Sequence, residues 1–133
     1  PFLKQVFACM KAFIIDREDL KQSMQVIVNV IREVRAGRNY LIFAEGTRSK
    51  NGNHPGTFKG GSFKTATKTK CPIVPVALID SFKAFDTGST EKITVQVHIL
   101  PPMYYEEYKD MHTTEIAEEV KRRIEKVIEE NTI

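Results

Sequence analysis

A chain of 133 residues with 41% hydrophobic content and a formal charge of +3 is long enough for one compact core and too short for two ordinary domains. Two cysteines, Cys9 and Cys71, make a disulfide framework a poor reading, and charges interrupt every apolar run short of the ~18 residues that a membrane span needs. The charge is uneven: residues 1–75 hold 13 Lys or Arg against 5 Asp or Glu, for +8, and residues 76–133 hold 7 against 12, for −5.

An anionic ligand or surface is therefore expected at the first half. Nucleic acid is not the expected partner, because no aromatic-studded basic surface or reader motif accompanies the charge. The chain opens at Pro1 without an initiator Met and without a signal-peptide pattern, and its apolar sequence starts at once. That abruptness suggests a trimmed, processed or incomplete chain.

Residues 1–11 read as a short helix with Phe2, Val6, Cys9 and Met10 near one side. The apolar run 11–15 reads as a buried strand, which delivers Asp16 and Arg17 to its C-terminal rim. Residues 18–35 form the clearest helix: Leu20, Met24, Ile27, Ile31 and Val34 recur at three or four residues, Asp19 lies near the positive dipole end, and Gly37 stands where a C-cap belongs. Tyr40, Leu41, Ile42 and Phe43 make the next expected strand.

The stretch 44–62 interrupts this regularity. It carries five Gly and one Pro, which excludes long regular structure, and so long a loop in so compact a chain is functional or disordered. A short helix is expected from Ser62 to Lys70, carrying Phe63 and Ala66 inward. Residues 73–79 read as another buried strand, with Pro75 at a bulge or an edge because it cannot donate to a ladder. Residues 92–100 alternate as a half-exposed strand, and a final helix over 114–130 sets Ile116, Val120, Ile124, Val127 and Ile128 on one face.

The order β, α, β, loop, α, β, β, α predicts an α/β fold: a mostly parallel sheet flanked by helices, in a single domain spanning 1–133. Ligands of such folds gather beyond the C-terminal strand ends, where Arg17 and residues 45–48 both belong. Asp16 and Arg17 are either an anion grip or a strand terminator with a helix cap. Glu45, Gly46, Thr47, Arg48 and Ser49, joined by Lys59, form the stronger constellation: Gly46 permits a tight turn, and the remainder offer donors to an anion. Gly60, Gly61 and Ser62 before a helix would add backbone N–H groups.

Neither GxxxxGK[ST] nor GxGxxG is present, and three scattered His with two distant Cys form no zinc spacing. His98 and His112 read as structural, and His54 has no evident orienting carboxylate.

At Phe13-Ile14-Ile15-Asp16-Arg17 and Phe43-Ala44-Glu45-Gly46-Thr47-Arg48-Ser49 the sequence resembles the glycerolipid acyltransferase family. Its members include 1-acylglycerol-3-phosphate acyltransferases, which move a fatty acyl group from acyl-CoA or acyl carrier protein to lysophosphatidic acid, giving phosphatidic acid. The family's third block reads Phe-Pro-Glu-Gly-Thr-Arg-Ser and is matched at six of seven positions, with Ala44 in place of the usual Pro. Phe58-Lys59-Gly60 and Val74-Pro75-Val76 resemble later family segments.

The resemblance implies that Arg17 and Arg48 grip the acceptor phosphate with Thr47, Ser49 and Lys59, that Glu45 and Gly46 shape the acceptor site, and that Pro75 helps form the acyl pocket. It also implies a fold of the family's type that is N-terminally incomplete, covering the C-terminal two-thirds of the domain. The family's catalytic block is His, four residues, then Asp. Five residues beyond His54, His98 and His112 stand Lys59, Met103 and Ala117, so no catalytic pair lies in the chain.

Implied partners are a lysophospholipid, the acyl carrier and a membrane surface, at the cytoplasmic face of a membrane for the intact protein, with no cofactor. Glycerol 3-phosphate or another lysophospholipid is the alternative acceptor. A non-catalytic phospholipid-binding module is the alternative class.

Overall fold

The computed structural model describes residues 2–16, 18–88 and 90–132, with the side chain of Phe85 also set aside. The chain divides into two compact units, Pro1–Leu41 and Ile42–Ile133.

In the first unit, α1 (Phe2–Cys9) buries none of its residues, and α2 (Leu20–Arg35) is the main element. Asp19 caps α2: its Oδ1 accepts from the Gln22 N–H at 3.0 Å. At the other end Gly37 takes φ +89, and the N–H groups of Gly37 and Arg38 donate to the carbonyls of Val34 and Glu33. This is a Schellman closure, and Gly37 is needed there because an L side chain resists positive φ.

The apolar face of α2 is the expected one only in part, with Ile27, Ile31 and Val34 half-buried. Val26 and Val30 are buried, whereas Leu20 and Met24 are 75% and 56% exposed.

The expected strands 11–15 and 40–43 do not form ladders. Backbone groups of the first are taken by the opening turns of α2: Gln22 Nε2 donates to the Ile14 carbonyl (2.7 Å), Gln22 Oε1 accepts from the Asp16 N–H (2.9 Å), and Ser23 Oγ donates to the Asp16 carbonyl (2.8 Å). The two runs meet through side chains instead, the Phe13 and Tyr40 rings stacking at 5.8 Å.

In the second unit a 3-10 turn (Gly60–Phe63) leads into α3 (Lys64–Thr69), followed by β1 (Val76–Ile79), α4 (Lys83–Asp86), β2 (Gln96–Ile99), α5 (Tyr105–Tyr108) and α6 (Thr113–Asn131). The expected parallel sheet is overturned. Among the described residues the sheet has two strands, β1 and β2, paired antiparallel with Val76 opposite Ile99 and Ile79 opposite Gln96. A parallel partner requires a crossover that returns the chain to the same sheet end. Among the described residues the link between β1 and β2 holds the four-residue α4 and no longer helix to make such a crossover, and the chain doubles back.

Ala77 and Ile79 of β1 join Ile116, Ala117, Val120, Ile124 and Ile128 of α6 in one core, with Phe63, Ala66, Leu100, Met103 and Tyr108. The apolar period of α6 therefore faces the sheet as expected. On β2 the alternation runs the other way: Gln96 and His98 are half-buried, while Val97 and Ile99 are 60% and 74% exposed. Tyr108 closes the core, fully buried, with its hydroxyl 2.5 Å from the Cys71 carbonyl and 3.2 Å from that of Ala66.

Gly60 has no room for a side chain. A Cβ there would lie 3.2 Å from Thr113 Oγ1 and 3.3 Å from the Thr113 carbonyl carbon, so the start of α6 packs directly on the glycine. Both cysteines are free thiols, Cys9 exposed and Cys71 half-buried.

Candidate functional site

The loop 44–59 is closed at its base and braced within. The Lys59 N–H donates to the Ala44 carbonyl at 2.7 Å, so the ends meet as in a compact Ω-loop. Gly46 takes φ +66 and turns the chain, its N–H reaching the Phe43 carbonyl at 3.0 Å. The Lys59 stem lies alongside, since a Cβ on Gly46 would stand 4.0 Å from Lys59 Cγ.

Glu45 Oε2 accepts from the Gly56 N–H at 2.7 Å, tying the entry of the loop to its exit. Ser49 Oγ donates to the His54 carbonyl at 2.7 Å and accepts from the Asn51 N–H at 3.2 Å. Asn53 bonds twice to Asp80, just past β1: its Nδ2 donates to Asp80 Oδ1 (3.0 Å), and its Oδ1 accepts from the Asp80 N–H (2.7 Å).

These braces shape an open concavity of about 480 Å³ lined by Glu45, Thr47, Arg48, Ser49, Lys50 and His54, among others. Arg48 and Thr47 are exposed, and among the described residues their side chains have no hydrogen-bond or ion-pair partner. The Glu45 carboxylate is engaged by a backbone N–H, while the guanidinium is not engaged. An oxyanion entering the concavity would meet the guanidinium, a hydroxyl and a nearby ammonium, the donor set that phosphate favours. Lys50 and His54 also line it. Sequence reasoning did not assign either, although both follow the Arg48-Ser49 pair within one loop.

The remaining expected site residues stand as follows. Arg17 lies outside the described residues. Asp16 accepts from the Glu18 N–H through Oδ1 at 3.0 Å and is not the helix cap, a role held by Asp19. Lys59 is at the loop base and does not line the concavity. Pro75 is buried between the Ile73–Met103 bridge and the β1–β2 ladder, its carbonyl accepting from the Leu100 N–H at 3.0 Å.

The Gly60–Phe63 turn is occupied by packing on α6. His98 Nε2 lies 3.0 Å from Gln96 Oε1, and the His112 N–H donates to Glu115 Oε2 at 2.6 Å as α6 begins. Among the described residues no three His, Cys, Asp or Glu are grouped to hold a metal ion, and no helix is long and apolar enough to cross a membrane.

The model of the family described as Acyltransferase matches residues 1–79, more than half of the chain. The chain belongs to the glycerolipid acyltransferase family. The family match runs through the boundary between the two units and includes the whole loop 44–59.

Among similar proteins, the 1-acyl-sn-glycerol-3-phosphate acyltransferase of Borreliella burgdorferi is 29% identical over 96% of this chain and 53% of its own length. The chloroplastic 1-acyl-sn-glycerol-3-phosphate acyltransferase of Brassica napus is 33% identical over 78% of this chain and 31% of its own length. The 1-acyl-sn-glycerol-3-phosphate acyltransferase of Escherichia coli is 28% identical over 98% and 53%. The chain thus spans about half the length of the bacterial relatives it matches. No solved structure matches it.

Proposed function

We propose that this family member is the acceptor-binding part of an acyltransferase that moves a fatty acyl group from acyl-CoA or acyl carrier protein to the free hydroxyl of lysophosphatidic acid. One observation carries the reading: Thr47, Arg48 and Ser49 line a single concavity in which the guanidinium is without a partner while the neighbouring Glu45 carboxylate is bonded to Gly56. Arg48 supplies the principal phosphate contact and Glu45 and Gly46 shape the loop; Arg17, and Lys59 from the loop base outside the concavity, are further cations by resemblance to the family alone. Pro75 belongs to the acyl pocket by resemblance to the family. Residues 1–133 form one acyltransferase domain in this reading, supported by a family match over 1–79 that covers the first unit and continues into the second.

No His in the chain is followed five residues on by Asp. The general base that deprotonates the acceptor hydroxyl is therefore supplied from outside these residues. What this chain contributes is orientation: the held phosphate fixes the hydroxyl relative to the thioester carbonyl. By resemblance to the family the intact protein works at the cytoplasmic face of a membrane, and the acyl chains of substrate and product favour a bilayer surface. Glycerol 3-phosphate and other lysophospholipids share the phosphate chemistry, and a panel of acceptors separates them. A non-catalytic phospholipid-binding module is the second reading, favoured by the lack of a His-x4-Asp pair.

The test is acyl transfer from acyl-CoA to lysophosphatidic acid. The 133-residue chain is expected to be inactive, and turnover equal to that of a longer protein carrying the His-x4-Asp block would overturn the division of labour. In that longer protein Arg17→Ala or Arg48→Ala removes a charge-assisted contact and raises the acceptor KM about ten- to a hundredfold. Unchanged acceptor dependence in both variants would refute the assignment.

A further inference from the structure

The loop that carries the candidate phosphate contacts has a single side-chain tether to the core layer among the hydrogen bonds described above, and it is made by a residue that the family resemblance does not assign. Asn53 faces Asp80 edge to edge. Its amide nitrogen donates to Asp80 Oδ1 at 3.0 Å, and its amide oxygen accepts from the Asp80 N–H at 2.7 Å, across 27 residues of sequence.

Asp80 is not a casual partner. It is the first residue after β1, whose Ala77 and Ile79 are buried in the core, and it is held at φ +65, a conformation an L residue rarely adopts. Its second carboxylate oxygen pairs with Lys83 Nζ at 2.8 Å, and the Lys83 and Asn53 contacts hold its carboxyl below the usual range.

Next to Asn53, Gly52 takes φ +59, and a Cβ on it would meet the Phe82 ring at 3.6 Å. The tip of the loop therefore meets the 80–83 segment through a paired amide contact, with the Phe82 ring close beside Gly52. His54, Pro55 and Gly56, which follow Asn53 in sequence, line the concavity together with Thr47 and Arg48.

We propose that Asn53 is a positioning residue for phosphate binding: by clamping the loop tip to Asp80 at the end of β1, it holds in place the part of the concavity that His54, Pro55 and Gly56 line. The proposal rests on the reading of this loop as the phosphate site. Without the clamp, what remains is the bracing within the loop and the packing of Ala44 and Phe58 on the core at its base, which leave the tip without a side-chain hydrogen bond to the 80–83 segment among the described residues. Asn is suited to the role because an amide offers one donor and one acceptor side by side, the complement of a carboxylate next to its own backbone N–H.

The experiment uses the full 133-residue chain with glycerol 3-phosphate as the probe, followed by the shifts of the Thr47, Arg48 and Ser49 amides, and measures amide hydrogen exchange across 49–56 without ligand. Asn53→Asp replaces the donor with an oxygen facing Asp80 Oδ1. It is expected to weaken probe binding and speed loop exchange, each about tenfold, with the thermal transition of the α6–β1 core unchanged.

Combining Asn53→Asp with Asp80→Asn exchanges donor and acceptor and is expected to restore both readouts, and Asp80→Asn alone should leave both near wild type. Loop exchange unchanged in Asn53→Asp, or a folded double variant without recovery, overturns the clamp. A wild-type chain whose 47–49 amides ignore glycerol 3-phosphate overturns the phosphate reading, and with it the role given to Asn53, even where the exchange data uphold the tether.

Discussion

Removing one oxygen from the centre of the larger unit tests how its core is held. Tyr108 is fully buried, its hydroxyl donating to the Cys71 carbonyl at 2.5 Å and lying 3.2 Å from the Ala66 carbonyl. In Tyr108→Phe the ring keeps its edge contact with Tyr105 at 5.5 Å, and the Ala66 carbonyl keeps the Lys70 N–H at 2.8 Å. The Cys71 carbonyl loses its described side-chain donor.

A buried hydrogen bond whose acceptor is left behind costs about 1–2 kcal/mol. For a unit of this size that lowers Tm by roughly 4–16 °C. Burial pushes the Tyr108 phenol up to about 12 from 10.0, with Cys71 and Tyr105 adding to it. A group whose folded pKa is raised stabilises the fold fully below its unfolded pKa and loses that contribution as pH rises through the folded value.

The wild-type advantage over Tyr108→Phe should therefore be constant below pH 10 and shrink between pH 10 and 12. Thermal or urea unfolding of the 133-residue chain, read by circular dichroism at several pH values, measures both effects. Equal stability of the two proteins at pH 7, or a gap that does not narrow above pH 10, would refute the assignment of the hydroxyl as a structural donor.

Two further changes probe other parts of the same unit. Glu119 is held down to about 2 by hydrogen bonds from Arg122 and then Arg123, so its contribution is present above pH 4.5 and fades as pH falls toward 2; with Arg122 two-thirds exposed it is worth only about 1 kcal/mol. Glu119→Gln should remove that part of the acid dependence of unfolding, and an unaltered acid limb would count against the pairing. Gly60→Ala forces a methyl group to within 3.3 Å of the Thr113 backbone and should cost about 1–3 kcal/mol in urea unfolding, a result that a merely flexible glycine would not produce.

The candidate site was legible because its signal is local. Glu45, Gly46, Thr47, Arg48 and Ser49 are consecutive, and a glycine-rich run after an apolar run announces a loop whatever surrounds it. The two long helices were legible for the same reason, since α2 and α6 carry a 3.6-residue period and α6 buries the face its sequence presents, whereas the four-residue α4 and α5 are too short to show a period and were not expected. The sheet was not legible. Residues 11–15 and 40–43 have the composition of buried strands, but a strand exists only with a hydrogen-bonding neighbour, and the backbone of 14–16 is bonded instead by Gln22 and Ser23. The alternation of 92–100 likewise announced a two-sided strand without saying which side packs, and it is Gln96 and His98 that turn inward.

Sequence alone determined the family, the glycine-rich loop 44–59 and the lack of a His-x4-Asp pair, because each is written in the identity and spacing of neighbouring residues. Only tertiary structure decided the antiparallel pairing of β1 with β2, the close seating of α6 on Gly60 and the bond between Asn53 and Asp80. Those depend on which distant groups meet in space, and local propensity carries no term for a partner 27 residues away.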